Sequence, residues 1–428
     1  MLRRAVLAMP GLLALALALP LAAQPLPGAK PEEVGLDPQR LARIRPFIER
    51  EVAESRLPGA VIMIARRGRL AYAEAIGFRD KAEGAPMPLD AVFRIYSMTK
   101  PMTSVAALML AEEGRLQLTD PVSRHLPGFD RLQVSVAQPN ATLARMGYAL
   151  VPQARQMTLQ DLLRHTSGLT YGTRTQNQPV REAYANLGLN EYMKHSPEEF
   201  TRRVTQAPLV HQPGTTFEYG LSTDVLGRVV EVVSGQRLEA FLEERLFRPL
   251  RMTDSGFWSP PEQIGRLARH LGVDPAQGNR PISMFDPAWP PGNASGGGGG
   301  LATAADYLRF AQMLANGGVL DGVRILSPES VRLMTADHLA GMAQPTPVGV
   351  LGTPGYGFGL GFAVRLQDGI AGVHGNAGQY MWAGYGGTHF WVDPRAELVA
   401  VYMTAAPSVD RAAYRRLIQQ LVHSAIVE

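Results

Sequence analysis

Phe93-Arg94-Ile95-Tyr96-Ser97-Met98-Thr99-Lys100-Pro101 is the stretch that orders the reading of this chain. It sets one Ser-x-x-Lys pair directly before an apolar run through Val105, Ala106, Leu108, Met109 and Leu110. The run predicts a helix, with Ser97 as its cap or in its first turn. Lys100, three residues on, then stands above the same face. A helix N-terminus disfavours a second positive charge, and burial lowers a lysine pKa. Both effects predict a neutral amine able to take the serine proton. Pro101 fits a first turn that needs no amide donor. The competing reading is a surface lysine beside an N-capping serine. Composition weighs against it, because only four of the 42 basic residues are lysines, at 30, 81, 100 and 194. Arginine cannot deprotonate in a protein and lysine can.

The formal charge is +4, with no long basic run, which argues against a nucleic-acid partner. Arg3 and Arg4 precede an apolar stretch from Ala5 to Ala23 that ends Leu21-Ala22-Ala23. That pattern predicts a signal peptide over residues 1–23, cut before Gln24, and export to a bacterial periplasm or medium. Pro10, Gly11 and Pro20 interrupt the run, so no stable membrane anchor is expected after cleavage. With no cysteine, neither a disulfide nor a lipid-bearing cysteine applies.

Taken in order, Asp37 to Glu54 has helical spacing. Ala60–Ala65 and Leu70–Ile76 read as a hairpin about Arg67-Gly68. Residues 127–156 lack a period and read as an insertion loop. Helices are expected over Met157–His165, Asp224–Val233 and Leu238–Leu246, and after Thr303 and Ser327. Strands are expected over Phe358–Val364, Gly372–His374, His389–Val392 and Leu398–Met403, before a closing helix over Val409–Val427. Strands at both ends and helices between them favour α+β over a doubly wound fold. Residues 24–428 then form one domain. Its sheet lobe spans about 30–95 and 350–428, and its helical lobe about 96–349.

Tyr219 lies in a glycine-flanked loop before a helix, where a phenol could share protons with Lys100. In Trp382-Ala383-Gly384-Tyr385-Gly386-Gly387-Thr388 the small residues would let a backbone approach a bound acyl group. An amide there, with that of Ser97, would make an oxyanion hole. Gly296–Gly300 lacks the Lys-Ser/Thr of a phosphate loop and reads as a flexible cleft rim or a linker. The aromatics of residues 254–295 suit a loop wall over a cleft. No Gly-x-Ser-x-Gly elbow is present, so a triad using His374 or His389 has little support. The nine histidines show no metal spacing, and no cofactor is expected. Asn140-Ala141-Thr142 and Asn293-Ala294-Ser295 match a glycan acceptor by chance.

Four blocks together (Phe93–Lys100, Leu159–Leu169, Phe217–Gly227 and Trp382–Pro394) resemble the serine β-lactamase-related hydrolases. That superfamily joins class C β-lactamases, penicillin-binding D-Ala-D-Ala peptidases and family VIII carboxylesterases. The resemblance implies an antiparallel sheet flanked by helices, with an inserted all-helical lobe. It makes Ser97 the acylated nucleophile, Lys100 its activating partner and Tyr219 the second base. Ser97, Trp382, Gly384 and Tyr385 would then form the oxyanion hole and substrate-binding edge. Two departures point to the esterase branch. Leu221 stands where class C enzymes have Asn, and Trp382-Ala383-Gly384 aligns with their Lys-Thr-Gly. His374-Gly375-Asn376 is a rival for that strand motif. The expectation is an exported serine esterase acting on small esters. A β-lactamase or peptidase of the same mechanism and a non-catalytic peptidoglycan binder are the alternatives.

Overall fold

The computed structural model describes residues 26–140, 145–342 and 354–428. The expected signal segment lies outside them, as do Ala141 and Thr142. Among the described residues no helix is long and apolar enough to cross a membrane.

One eight-stranded sheet organises the molecule. The early strands are β1 (Gly59–Arg66), β2 (Arg69–Asp80) and β3 (Ala85–Pro86). The late ones are β4 (Tyr356–Phe358), β5 (Ala363–Arg365), β6 (Tyr380–Ala383), β7 (His389–Asp393) and β8 (Leu398–Thr404). Their spatial order is β4-β5-β6-β7-β8-β1-β2-β3. The two ends of the chain meet where β1 pairs antiparallel with β8, from Ala60 opposite Thr404 to Arg66 opposite Leu398. Every residue of β1 and β8 is buried, so both sheet faces need cover. Helix α1 (Ile44–Ala53) packs on β1 and β2, and the closing helix packs on α1 in turn. A helix over Ala304–Ala315, capped by Thr303 as expected, packs on β1, β7 and β8.

The segment between β3 and β4 carries most of the helices among the described residues. At its centre is α2 (Thr99–Glu112), buried on every side from Thr99 to Leu110. Such a helix can sit only inside a lobe, between other elements. It packs against α3 (Ser222–Ser234). This is the α+β architecture that the resemblance implies.

Several local expectations need correction. Residues 127–156 hold a hairpin, Gln133–Asn140 paired with Arg145–Pro152, rather than a loop. Its strands alternate only briefly, at Val134 and Val136, and include Pro139 and Gly147, so no sustained apolar period announces them. Phe358–Val364 is not one strand: it runs from the end of β4 through a turn at residues 359–362 into β5. Gly372–His374 is not a strand at all; the strand partner of β5 is β6. Gly296–Gly300 is fully buried. A flexible rim would have been exposed, and the contacts described below explain why this segment is not.

Candidate active site

Ser97 sits in a 3-10 turn, Tyr96–Met98, that runs straight into α2. Tyr96 has φ 44°, a left-handed conformation unusual for a bulky residue. Its surroundings hold it there. The ring packs edge-on against Phe285 and Tyr385, at 5.2 and 5.4 Å. The Thr99 hydroxyl donates to the Tyr96 carbonyl at 2.6 Å and accepts from the Gly300 amide at 2.9 Å. The Ile95 amide donates to the Gly300 carbonyl at 3.0 Å. The glycine run therefore clamps the turn that presents Ser97.

Lys100 is completely buried. Its Nζ donates to the Gly297 carbonyl at 2.6 Å, to the Tyr171 hydroxyl at 3.1 Å and to Ser97 Oγ at 3.5 Å. It also stands 4.6 Å from the centre of the Tyr219 ring. Three acceptors match the three protons of an ammonium. Burial alone would lower this pKa, but the Tyr171 and Tyr219 phenols and the Asp224 carboxyl outweigh it and hold the amine above the ordinary lysine range. These groups push Lys100 toward the charged form, against the direction expected from the helix terminus and burial. What overrides the two terms is a set of acceptors supplied by distant parts of the chain.

Asp224, in the first turn of α3, acts on Lys100 through its charge and not through a hydrogen bond. Burial raises its pKa, against the pull of Lys100. One carboxyl oxygen accepts from Ser295 Oγ and from the Gly297 amide, the latter at 3.0 Å. Gly297 thus turns its carbonyl to Lys100 and its amide to Asp224. A Cβ there would run into the Asp224 carboxyl. That contact is why the glycine run is buried structure.

Tyr219 is buried, and its hydroxyl accepts from the Trp382 indole Nε1–H at 3.3 Å. Its ring packs 4.8 Å from His165, 5.8 Å from Tyr171 and 5.4 Å from Trp382. Burial, reinforced by the Lys100 charge, pushes the His165 imidazole well below its usual range, so it serves as a neutral ring. Gly220 packs directly on the Thr170 backbone, where a Cβ would clash, and so ties the Tyr219 loop to the segment carrying Tyr171.

The β6 edge faces Ser97 across a cavity with an empty volume of about 810 Å³, bordered by Trp382 to Tyr385. The expected edge residues do different work there. The Gly384 amide is engaged by the Thr388 carbonyl at 2.9 Å and is not free for a substrate. Gly384 is needed because a Cβ would collide with the Ile95 carbonyl oxygen, so the close approach is to the Ser97 segment rather than to an acyl group. Among the described residues the amides of Ser97 and Tyr385 have no carbonyl or side-chain acceptor. Trp382 contributes its indole donor to Tyr219, which its alignment with a lysine concealed. The rival triplet lies elsewhere. The Asn376 amide and side chain bind the Asp393 carboxylate, and the His374 carbonyl accepts from Gln419 at 2.6 Å. His389 lines the cavity, with Nδ1 3.1 Å from the Trp382 carbonyl, and burial lowers its pKa to about 3. Neither His374 nor His389 has a hydrogen bond to Ser97.

Sequence reasoning did not single out Tyr171, Asp224 or Gly297 individually. Tyr171 follows the Leu159–Leu169 block by two residues, the one signal that could have flagged it.

The chain matches a known family and several known proteins. The profile of the family described as Beta-lactamase matches residues 44–423. Protein Rv1367c of Mycobacterium tuberculosis is 38% identical over 83% of this chain and 87% of its own. Esterase EstB of Burkholderia gladioli is 32% identical over 87% of this chain and 93% of its own. The solved structure of EstCE1, described as a hydrolase with promiscuous acyltransferase activity, superposes with a TM-score of 0.74 at 27% identity. It covers 90% of this chain and 99% of that one.

Proposed function

From the premise that this chain belongs to the Beta-lactamase family, where it is a serine hydrolase of the esterase kind, we propose an exported enzyme that cleaves small carboxylic esters through an acyl-enzyme on Ser97. One observation carries the mechanism: a buried ammonium, Lys100, lies 3.5 Å from the Ser97 hydroxyl with the Tyr219 ring over it.

In this reading Ser97 Oγ attacks the ester carbonyl and the Tyr219 hydroxyl relays the proton, taking the one from Ser97 as it turns its own toward the ester's leaving oxygen. The adjacent Lys100 ammonium favours the negative charge that forms on the serine oxygen. The carbonyl oxygen becomes an oxyanion in front of the Ser97 and Tyr385 amides. Collapse expels the alcohol, which takes the proton held by Tyr219. A water molecule then attacks the acyl-serine by the same route in reverse, releasing the acid. The EstCE1 description supports a second acceptor for this step, an alcohol in place of water.

Trp382 supports the esterase reading over a β-lactamase. It puts an indole where a lysine would meet a β-lactam carboxylate, and a missing designed polar contact reduces selectivity by powers of ten. The test compares kcat/KM for 4-nitrophenyl butyrate, nitrocefin and a D-Ala-D-Ala peptide. The ester should lead by roughly 10²-fold or more; faster turnover of nitrocefin or peptide would overturn the assignment. A peptidoglycan binder without turnover would hydrolyse none of them. Export rests on Arg3, Arg4 and the apolar run to Ala23. It predicts a periplasmic or extracellular form beginning at Gln24 and retaining residues 24–428 as one catalytic domain, checked by N-terminal mass.

A further inference from the structure

Four arginines line the reaction cavity. Arg174 comes from the helical lobe, and Arg411, Arg415 and Arg416 from the closing helix, Arg411–Ser424. Among the described residues none of the four forms an ion pair with a carboxylate, although most arginines of this chain do. Arg415 is occupied: it donates to the Gly384 and Gly387 carbonyls and so holds the turn after β6. Arg411 gives one donor to the Ser408 carbonyl and lies 5.2 Å over the Tyr385 ring. Arg174 is exposed and lies 5.9 Å over the Tyr219 ring. Arg416 has no hydrogen-bond partner among the described residues.

This arrangement is electrostatically unfavourable for the empty protein. Arg411 is the first residue of its helix, where the dipole opposes a cation. Arg411 and Arg415 are also a like-charged i,i+4 pair. The acidic groups nearby do not answer them. Asp274 uses its carboxylate on the Ser408 hydroxyl, the Ala276 amide and the Gln277 side chain. Asp410 sits at the helix N-cap position without a side-chain bond to it. Cations kept unpaired on the wall of a reaction cavity are what a carboxylate-bearing ligand needs, because the guanidinium fork matches a carboxylate.

Resting on the esterase reading above, we propose that the natural substrate is an ester carrying a free carboxylate. Arg174, Arg411 and Arg416 hold that carboxylate while the ester carbonyl lies at Ser97. The anion sits on either the acyl or the alcohol half, and two matched pairs separate these sources. Mono-4-nitrophenyl adipate against methyl 4-nitrophenyl adipate tests the acyl half. 3-Butyryloxybenzoate against its methyl ester tests the alcohol half. With uncatalysed rates subtracted, the anionic member of one pair should show kcat/KM higher by about tenfold or more at low salt. That ratio should shrink as sodium chloride is added. It should fall toward one in the Arg174→Gln/Arg416→Gln double variant, and Arg416→Lys should keep part of it. Arg174 is exposed and Arg416 half-buried, and Arg416→Lys serves as the fold control. A ratio of one or below in both pairs, or a ratio unchanged in the double variant, would overturn the proposal while leaving the esterase intact. If no ester is turned over, the esterase reading falls and binding decides. Tryptophan fluorescence of Ser97→Ala would then compare monobutyl adipate with butyl methyl adipate. Tighter binding of the anion supports the arginine site, and equal binding refutes it.

Discussion

The two walls of the cavity are built on opposite terms. On the helical side Lys100, Gly297 and Asp224 are buried and Tyr171 partly so, and the lysine donates to three oxygens within 3.5 Å. On the sheet side, among the described residues, the Tyr385 amide is open, and the arginines of the closing helix, joined by Arg174 from the helical lobe, lack carboxylate partners. A wall that holds its lysine on three fixed oxygens has little freedom to adapt to a ligand, so it suits bond making. A wall whose cations are unpaired lowers its energy by taking a ligand, so it suits selection. The pairing teaches where mutations should separate kcat from preference.

The contrast breaks most visibly at Lys100. Lys100→Met should fold, because the side chain has similar length and is less costly to bury. It should lower kcat for 4-nitrophenyl butyrate by roughly 10²–10⁴-fold, the usual size of a lost proton-handling partner. Steady-state kinetics with circular dichroism as a fold control would check this. Activity within tenfold of the parent would place the chemistry elsewhere.

Gly297→Ala tests whether the glycine run is structure. Its Cβ has no room beside the Asp224 carboxyl. The expected loss is ~1–3 kcal/mol of stability, as for other overpacked sites, read as a lower urea midpoint with reduced kcat. An unchanged midpoint would restore the flexible-rim reading.

Trp382→Phe sharpens the boundary between the walls. It keeps an aromatic ring and removes the 3.3 Å donor to the Tyr219 hydroxyl. One neutral hydrogen bond is worth about 1 kcal/mol, so kcat should fall by about fivefold with KM little changed. A change confined to KM would assign the indole to substrate binding.

A further effect lies outside the cavity. Burial pushes the Asp306 carboxyl up to about 7 in the folded chain, where one of its oxygens has no hydrogen-bond partner. An unfolded aspartate titrates near ~4, so between those values the folded state binds more protons than the unfolded one. This contribution therefore makes stability fall as pH rises from about 4 to 7, and it is fully relieved below that window. Urea midpoints across the window should show the slope, and Asp306→Asn should flatten it.

How much of this was legible in the chain follows from the range of each interaction. Ser97 and Lys100 are three residues apart at a helix start, so local spacing alone brings them near one another. The sheet lobe was legible as strands at both ends, and the Thr303 and Ser327 caps were legible as local chemistry. The charge on Lys100 was not. Its partners Tyr171, Asp224 and Gly297 lie 71 to 197 residues away, and no window of sequence contains them. The glycine run misled for the same reason: composition speaks for flexibility, and only the opposing Asp224 and Thr99 show it packed. The role of Trp382 was hidden because alignment with a lysine position directs attention to what is missing, while the indole brings a donor of its own. The arginines of the closing helix were unremarkable in a chain rich in arginine until the fold put them around one cavity.

The central claim is that Ser97 forms an acyl-enzyme with an ester. Its most direct test is the intact mass of the mature protein at short times after mixing with 4-nitrophenyl butyrate, beside Ser97→Ala and a benzylpenicillin control. The account predicts a transient butyryl adduct on the parent protein, absent from the variant, with no lasting penicilloyl adduct. A butyryl adduct that persists in Ser97→Ala, or a stable penicilloyl adduct with little ester turnover, would contradict it.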